Sequence, residues 1–208
     1  MASDQEAGTY RYRRDAVLLG VSDVFTVDGA SVHSVREQPG GVRMEVDATV
    51  DLSGLVSRFE LRWTHHGEGQ IPRRRVTYTL SDGEFEVTVD GARHIEAVAL
   101  DAVLFPLLRV FQGAVILAVA DAGPVGRTVI IPDLHHLTDP ERLLLPTFET
   151  RTARCLSTEA STGIAMYAYE GSVYDGSSRF FIDVARRQMT GYLFPQADGT
   201  VIDVRLER

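Results

Sequence analysis

The candidates for chemistry in this sequence are polar side chains set inside an apolar stretch. Between residues 97 and 120 nearly all side chains are apolar, and the polar exceptions are Asp101, Arg109 and Gln112. A carboxylate buried in such surroundings has a raised pKa unless a cation pairs with it. We expect Asp101 and Arg109 to pair with each other, although either could instead face a ligand. If the protein is an enzyme, the expected catalytic residues are His94 and Asp101, acting as proton shuttles.

A second group of residues has the types that line a hydrophobic binding site. Aromatic side chains provide large apolar surfaces, and arginine can hold an acidic group of a ligand through paired hydrogen bonds. Arg151 could join Arg62 in such a clamp, although solvation at the surface is the default expectation for both. The expected ligand-binding residues are Trp63, Tyr78, Phe105, Arg109, Phe111 and Arg62.

The composition excludes several classes of reaction. All 21 residues counted as Lys or Arg are arginine, so the chain offers no Schiff-base lysine and no Walker A loop. Cys155 is the single cysteine, which excludes an intramolecular disulfide, and we expect it to pack against its neighbours. The histidines show no metal-binding spacing, since two of the four groups are adjacent pairs that point to opposite faces of a strand. We therefore predict no cofactor and no metal.

The net charge and the N-terminal sequence indicate which partners and which cellular location to expect for this protein. The net charge of −8 argues against a nucleic-acid partner. The N-terminal residues lack the apolar core of a signal peptide, so we expect a soluble, cytoplasmic protein. The 97–120 stretch is long enough to span a bilayer, but its Asp, Arg and Pro residues argue against a membrane span. A homodimer is left open.

Strict alternation of apolar and polar residues predicts antiparallel strands with one face in water. The clearest runs are 42–50, 59–63, 76–80, 84–89 and 202–207. Asp82-Gly83 separates two of these runs and predicts a hairpin. Further strands are predicted at 16–27, 30–37, 92–99, 127–132, 148–158, 164–170, 178–184 and 189–194.

The apolar stretch itself is ambiguous. Residues 100–112 could be a short buried helix or an irregular crossing, and Pro106 argues against an uninterrupted helix. Residues 114–120 could be a buried strand or a helical turn. Farther along the chain, Asp139 as N-cap and Pro140 at the first position predict a short helical turn near 139–145.

We predict a single domain over residues 1–208, with residues 1–9 disordered. A sheet with this many strands must curl, split or close. The predicted fold is mainly β: an antiparallel open or rolled β-barrel with a central apolar insert or short helix at about 97–120. That insert could be a core plug or the floor of an apolar pocket. The predicted inner face holds Met44, Val46, Phe59, Leu61, Trp63, Val76, Tyr78, Phe85 and Val87.

The order of these features resembles a known family. A strand carrying Val76, Tyr78 and Leu80 is followed by an apolar segment with an acid and a proline, from Leu100 to Arg109, and then by closing strands rich in Tyr and Arg. This order is similar to that of the glycolipid-binding family of spiral β-roll proteins, whose open half-barrel resembles the bacterial lipoprotein carriers. The resemblance covers roughly residues 42–207, with Phe105 where the family tends to place Thr. It implies a concave apolar surface that binds a lipid-like molecule.

Three functions are compatible with these features. The first is a soluble binding protein for a hydrophobic or lipid-like small molecule, held in an apolar β-barrel cavity. The second is a cofactor-independent cyclase or isomerase of bacterial secondary metabolism, acting on a polyketide- or terpenoid-like substrate. The third is an interaction module that has no small-molecule ligand.

Overall fold

The computed structural model describes residues 5–66, 73–139, 141–171, 174–175 and 177–208. Within these ranges the chain forms sixteen β-strands, one α-helix and one short 3-10 helix. The helices are α1 (Arg109–Asp121) and the 3-10 helix Gly123–Val125. The strands are β1 (Glu6–Arg14), β2 (Val17–Asp28), β3 (Ser31–Gln38), β4 (Val42–Val50), β5 (Val56–His65), β6 (Arg73–Ser81), β7 (Glu84–Val89), β8 (Ala92–Ala97), β9 (Val103–Leu104), β10 (Arg127–Pro132), β11 (Pro146–Glu159), β12 (Ile164–Gly171), β13 (Tyr174–Asp175), β14 (Arg179–Asp183), β15 (Gln188–Pro195) and β16 (Val201–Glu207).

Twelve of these strands close into a barrel, which confirms the predicted fold class. Neighbouring strands follow the order β4, β3, β2, β1, β16, β15, β14, β12, β11, β10, β9, β5, and β4 pairs with β5 to complete the ring. The pairings are antiparallel except between β9 and β10. Strands β6, β7 and β8 continue the sheet from β5, outside the ring. Closure satisfies the backbone groups that an open edge would leave unpaired.

The side chains predicted to face inward are buried. Alternation along β4 to β7 places their apolar residues on the core side, while the intervening polar residues stay partly or fully exposed. Cross-strand pairs such as Met44 with Trp63 and Val46 with Leu61 join β4 to β5 at the point of closure. All nine predicted inner-face residues are at most 3% exposed.

Helix α1 occupies the interior of the barrel. Every residue from Phe111 to Val119 is buried, as is typical of a helix that is apolar all round and enclosed by protein. The helix lies close to β15, since a Cβ added to Gly113 would stand 2.4 Å from the carbonyl oxygen of Arg187. It begins at Arg109, after Pro106, so the residues before it form the irregular crossing that the proline indicates. Of the two alternatives for the apolar stretch, the structure therefore has the core plug.

One local prediction needs correction, and another is confirmed. Residues 6–9, expected to be disordered, belong to β1, because Tyr10 and Tyr12 of that strand are buried in the core. The predicted short helical turn near 139–145 is present: the Leu143 N–H donates to the Asp139 carbonyl at 2.9 Å, and the Asp139 carboxylate accepts the Glu141 N–H at 2.9 Å, as an N-cap does. Pro140 lies outside the described residues.

Neither of the described helices is both long and apolar enough to cross a bilayer.

Candidate functional site

Arg109, the first residue of α1, is the centre of a polar cluster inside one end of the barrel. Its Nε donates to the Tyr12 hydroxyl at 3.0 Å, and its Nη1 donates to Gln112 Oε1 at 2.6 Å and to the Tyr174 hydroxyl at 3.2 Å. Its Nη2 lies 3.4 Å from the Tyr192 hydroxyl, and its Cζ lies 4.7 Å from the centre of that ring. The helix start thus ties together three separate parts of the sheet.

A buried ion pair supports the cluster from β2 and β3. Arg36 Nε donates to Asp23 Oδ1 at 2.6 Å and its Nη2 donates to Asp23 Oδ2 at 2.7 Å, a two-point contact between side chains that are almost fully buried. Asp23 Oδ2 also accepts the backbone N–H of Arg109 at 3.1 Å. Helix α1 has no cap from its own N-cap side chain, so Asp23 satisfies one of its free N–H groups and places negative charge at its N-terminus.

A third arginine approaches the same region from β11. Arg151 is 2% exposed, its Nη2 donates to Glu149 Oε2 at 2.7 Å, and its Nη1 donates to the Tyr169 hydroxyl at 2.9 Å. Its Cζ stands 5.8 Å from the centre of the Phe105 ring. The charge is therefore held by one carboxylate, one hydroxyl and aromatic faces.

These three arginines line one cavity of about 180 Å³, which we call the arginine cavity. Its wall combines cationic and hydroxyl groups with apolar side chains, a mixture typical of small-molecule sites. The lining residues are Arg36, Arg109, Arg151, Tyr174, Thr147, Asp133, His135, Leu107, Ile131, Pro132 and Leu134.

Tyr12, Tyr192 and Tyr169 stay protonated at neutral pH. Burial raises the pKa of Tyr12 above its ordinary value, and Arg109 and Arg36 lower it only in part. Burial likewise raises the pKa of Tyr192, and it raises that of Tyr169 to about 12 in spite of the nearby Arg151. These hydroxyls therefore act as neutral hydrogen-bonding groups rather than as counterions.

Asp133 is the acidic residue in the cavity wall. Its Oδ1 accepts the backbone N–H of His135 at 2.7 Å, and its Oδ2 is 2.6 Å from Nδ1 of His136. Burial raises the pKa of Asp133, but these hydrogen bonds outweigh it and hold the pKa below its ordinary value. Asp133 is therefore ionised at neutral pH.

The structure places one of the predicted ligand-binding residues, Arg109, in the wall of the arginine cavity. Phe105 lies behind that wall, where its ring faces Arg151, and Phe111 is buried in the first turn of α1. Tyr78 and Trp63 belong to the core: the Tyr78 hydroxyl donates to the Leu144 carbonyl at 2.7 Å, and Trp63 is 3% exposed.

Arg62 lies on the outer face of the barrel. It pairs there with Glu45, Glu60 and Asp47, so its guanidinium is held among acidic side chains of β4 and β5. His33, Glu45 and Asp47 in the same patch place potential metal ligands within 4.8 Å of one another. The Arg62 cation already neutralises part of this patch.

Asp101 and His94 lie away from the arginine cavity. Asp101 is exposed and stands 3.7 Å from Arg127, because the turn at residues 99–102 keeps it in water while the following apolar residues enter the core. The expected pairing of Asp101 with Arg109 is thus replaced by a pairing with Arg127. His94 is exposed on β8 and borders a separate groove of about 420 Å³. Cys155, expected to pack, is also exposed.

Sequence reasoning missed Asp23 and Arg36, although the signal for both was present. The turn at Asp28-Gly29 joins β2 to β3 in a register that sets Asp23 directly opposite Arg36. Both lie on the inward face, as shown by the buried Phe25 on β2 and the buried Val32 on β3. Opposite charges at facing inward positions of a hairpin indicate a buried ion pair.

No protein-family model matches this sequence, and no curated protein is significantly similar to it.

Proposed function

We propose that this protein binds a hydrophobic, lipid-like small molecule and holds the polar end of that molecule in the arginine cavity. The observation that carries the proposal is the convergence of Arg36, Arg109 and Arg151 on one cavity. Apolar side chains such as Ile131 and Leu134 complete the wall. Few polar groups in an otherwise apolar pocket fix the orientation of a ligand, while apolar contact supplies most of the affinity.

The volume of the cavity limits how much of a ligand it can take. An engineered cavity of about 150 Å³ accepts benzene, so the 180 Å³ of the arginine cavity suits a head group and the first few carbons of a chain. The remainder of a lipid-like molecule would extend past the cavity mouth. The helix-filled interior means that the binding site we propose lies at one end of the barrel rather than along its axis.

Two further considerations support this proposal. The order of elements over residues 42–207 resembles that of glycolipid-binding β-roll proteins. The free, exposed Cys155 is compatible with the cytoplasmic location that we also propose. No observation on the described residues favours the cyclase or isomerase, because the expected acid and base, Asp101 and His94, stand apart from the cavity.

Native mass spectrometry of the freshly purified protein, followed by organic extraction, tests the proposal. We expect a non-covalent adduct that is released on denaturation and is an apolar or amphipathic molecule. The variant Leu134→Trp should lose the adduct, since it fills the cavity without changing its charge. Leu52→Trp is the matched control, because Leu52 is fully exposed.

Loss of the adduct in Leu134→Trp is informative only if this variant is folded. Far-UV circular dichroism and a urea midpoint should be close to wild type for both variants. If wild-type protein has no adduct and also binds neither dodecanoate nor dodecanol by calorimetry, the proposed function is wrong. An adduct retained by a folded Leu134→Trp protein would place the binding site elsewhere.

A further inference from the structure

The balance of charge around the arginine cavity is uneven. Two of its three arginines already have a carboxylate partner: Arg36 holds Asp23 at two points, and Arg151 holds Glu149. The third, Arg109, has only uncharged acceptors for its side chain among the described residues, namely three tyrosine hydroxyls and one amide oxygen. A partly buried cation without its own counterion is costly, because low-dielectric surroundings do not solvate it well.

Asp23 compensates Arg109 only in part. Its Oδ2 accepts the backbone N–H of Arg109 at 3.1 Å, but both of its oxygens are bound at shorter distances by Arg36. The group of Arg36, Arg109 and Asp23 therefore carries one net positive charge. Tyr12 and Tyr192 cannot supply the missing negative charge, since burial keeps both of them protonated.

Unused hydrogen-bond donors lie in the same place. Among the described residues, Nη1 of Arg36 has no acceptor, and Nη2 of Arg109 has only the long contact to Tyr192. The amide nitrogen of Gln112, a residue that is fully buried, also lacks a partner within that part of the chain. Of these three nitrogens, only that of Gln112 is itself buried without a partner, and it belongs to the amide whose oxygen binds Arg109. Buried donors are almost always satisfied in folded proteins, and the two arginine nitrogens have donors left for an acceptor that comes from a ligand.

We infer that the polar end of the ligand is a singly charged carboxylate, with Arg109 as its counterion. This inference rests on the proposed function, because it names the head group of the molecule bound at the same site. One negative charge balances the one uncompensated cation. Two carboxylate oxygens match the guanidinium donors of Arg109 and Arg36, which bind oxygen acceptors in pairs.

Other head groups fit this arrangement less well. A phosphate monoester carries roughly −1.5 to −2 charges at neutral pH. Its second charge would share the cavity with Asp133, and among the described lining residues no arginine other than Arg109 is without a carboxylate partner. An uncharged alcohol would leave the charge of Arg109 uncompensated. The cavity should therefore rank head groups by charge, with the monoanion first.

The test is a calorimetric titration of the full chain with dodecanoate and dodecyl phosphate, each below its critical micelle concentration, and with dodecanol below its solubility limit. The three probes share one chain and differ in the head group alone. We expect dodecanoate to bind roughly ten- to a hundredfold more tightly than dodecanol, as hydrogen bonds to a charged group allow. Dodecyl phosphate should bind more weakly than dodecanoate.

Arg109→Gln should remove this ranking, so that dodecanoate binds no more tightly than dodecanol. Arg62→Gln is the matched control, because Arg62 is an arginine bound to carboxylates on the outer face, and it should keep the full preference. If Arg109→Gln does not fold, the ranking of the three probes by the wild-type protein still decides the inference.

The outcomes separate the inference from the proposed function. If the three probes bind equally, or if dodecyl phosphate binds best, the carboxylate assignment is wrong and lipid binding stands. If none of the probes binds and no adduct co-purifies, both are wrong. A preference for dodecanoate that survives in Arg109→Gln would overturn the role of Arg109.

Discussion

At the scale of single residues, the three arginines of the cavity differ: Arg36 and Arg151 meet a carboxylate within the chain, whereas the side chain of Arg109 meets none among the described residues. The Asp23–Arg36 pair is nearly inaccessible to water and is bound at two points. Removing one member of such a pair costs about 3–5 kcal/mol, because the other charge is left buried and alone. Arg109 differs in that its described side-chain partners are neutral, and this difference points to a ligand.

Asp133 gives a prediction for the dependence of stability on pH. Its pKa is lower in the folded protein than in the unfolded chain, so its contribution to stability is complete above the unfolded value of about 4 and is lost as the pH falls below it. Asp133→Asn should cost about 1–3 kcal/mol at neutral pH, through weaker bonds to His135 and His136.

Urea midpoints at pH of about 6 and about 3 measure this effect. Wild-type protein should lose more stability between the two values than Asp133→Asn does. Asp101→Asn, at an exposed acid, should follow the wild-type slope. Equal losses in wild type and Asp133→Asn would contradict the role given to this carboxylate.

At the scale of elements, the contact between α1 and β15 determines how the barrel is filled. Gly113 lies where the helix meets the backbone of β15, and an added Cβ would stand 2.4 Å from the Arg187 oxygen and 2.6 Å from the Met189 nitrogen. Backbone atoms cannot move aside as a flexible side chain would. The glycine is therefore required by close approach and not by its own backbone angles.

Gly113→Ala should consequently destabilise the protein, by about 1–3 kcal/mol, as overpacked cores do. This is opposite to intrinsic helix propensity, which favours alanine over glycine by about 1 kcal/mol. The free energy of unfolding in urea measures the effect. Ala120→Gly, at a half-buried position of the same helix, is the control that measures the effect of helix propensity alone. A gain in stability for Gly113→Ala would show that α1 stands farther from β15 than in this structure.

At the scale of the whole molecule, the pairing of β4 with β5 converts an open sheet into a closed barrel around a helix. The core is a single cluster that draws side chains from α1 and from strands on every side of the ring. Such an arrangement is expected to unfold as one cooperative unit, because neither the helix nor the sheet has another way to bury its apolar surface.

Leu61→Ala tests this cooperativity at the closing strand. Leu61 is fully buried between β4 and β6, so truncation should cost about 2–5 kcal/mol, whereas Leu52→Ala at a fully exposed site should change stability by less than about 0.5 kcal/mol. Fluorescence of the single, buried Trp63 reports on the barrel, and circular dichroism reports on total secondary structure. Coincident urea transitions are expected in both variants, and separated transitions would contradict a single unit.

Much of the fold follows from the sequence alone. Alternation along β4 to β7 placed nine inward side chains correctly, because a period of two residues leaves one face of a strand for the core. The Asp28-Gly29 turn likewise fixes the strand register, which places Asp23 opposite Arg36. The strand faces and the hairpin register both follow from local geometry, since they depend on residues that are neighbours along the chain or across one hairpin.

The arginine cavity depends on tertiary structure. Tyr12 precedes Arg109 by 97 positions, and Tyr174 and Tyr192 follow it by 65 and 83. Only closure of the barrel, with α1 inside it, brings these residues within hydrogen-bond distance. The sequence by itself determined the strands, their faces and the lysine-free, acidic composition. The tertiary structure decided which polar residues meet, because contact across a closed barrel depends on the order of strands in space and not on spacing along the chain.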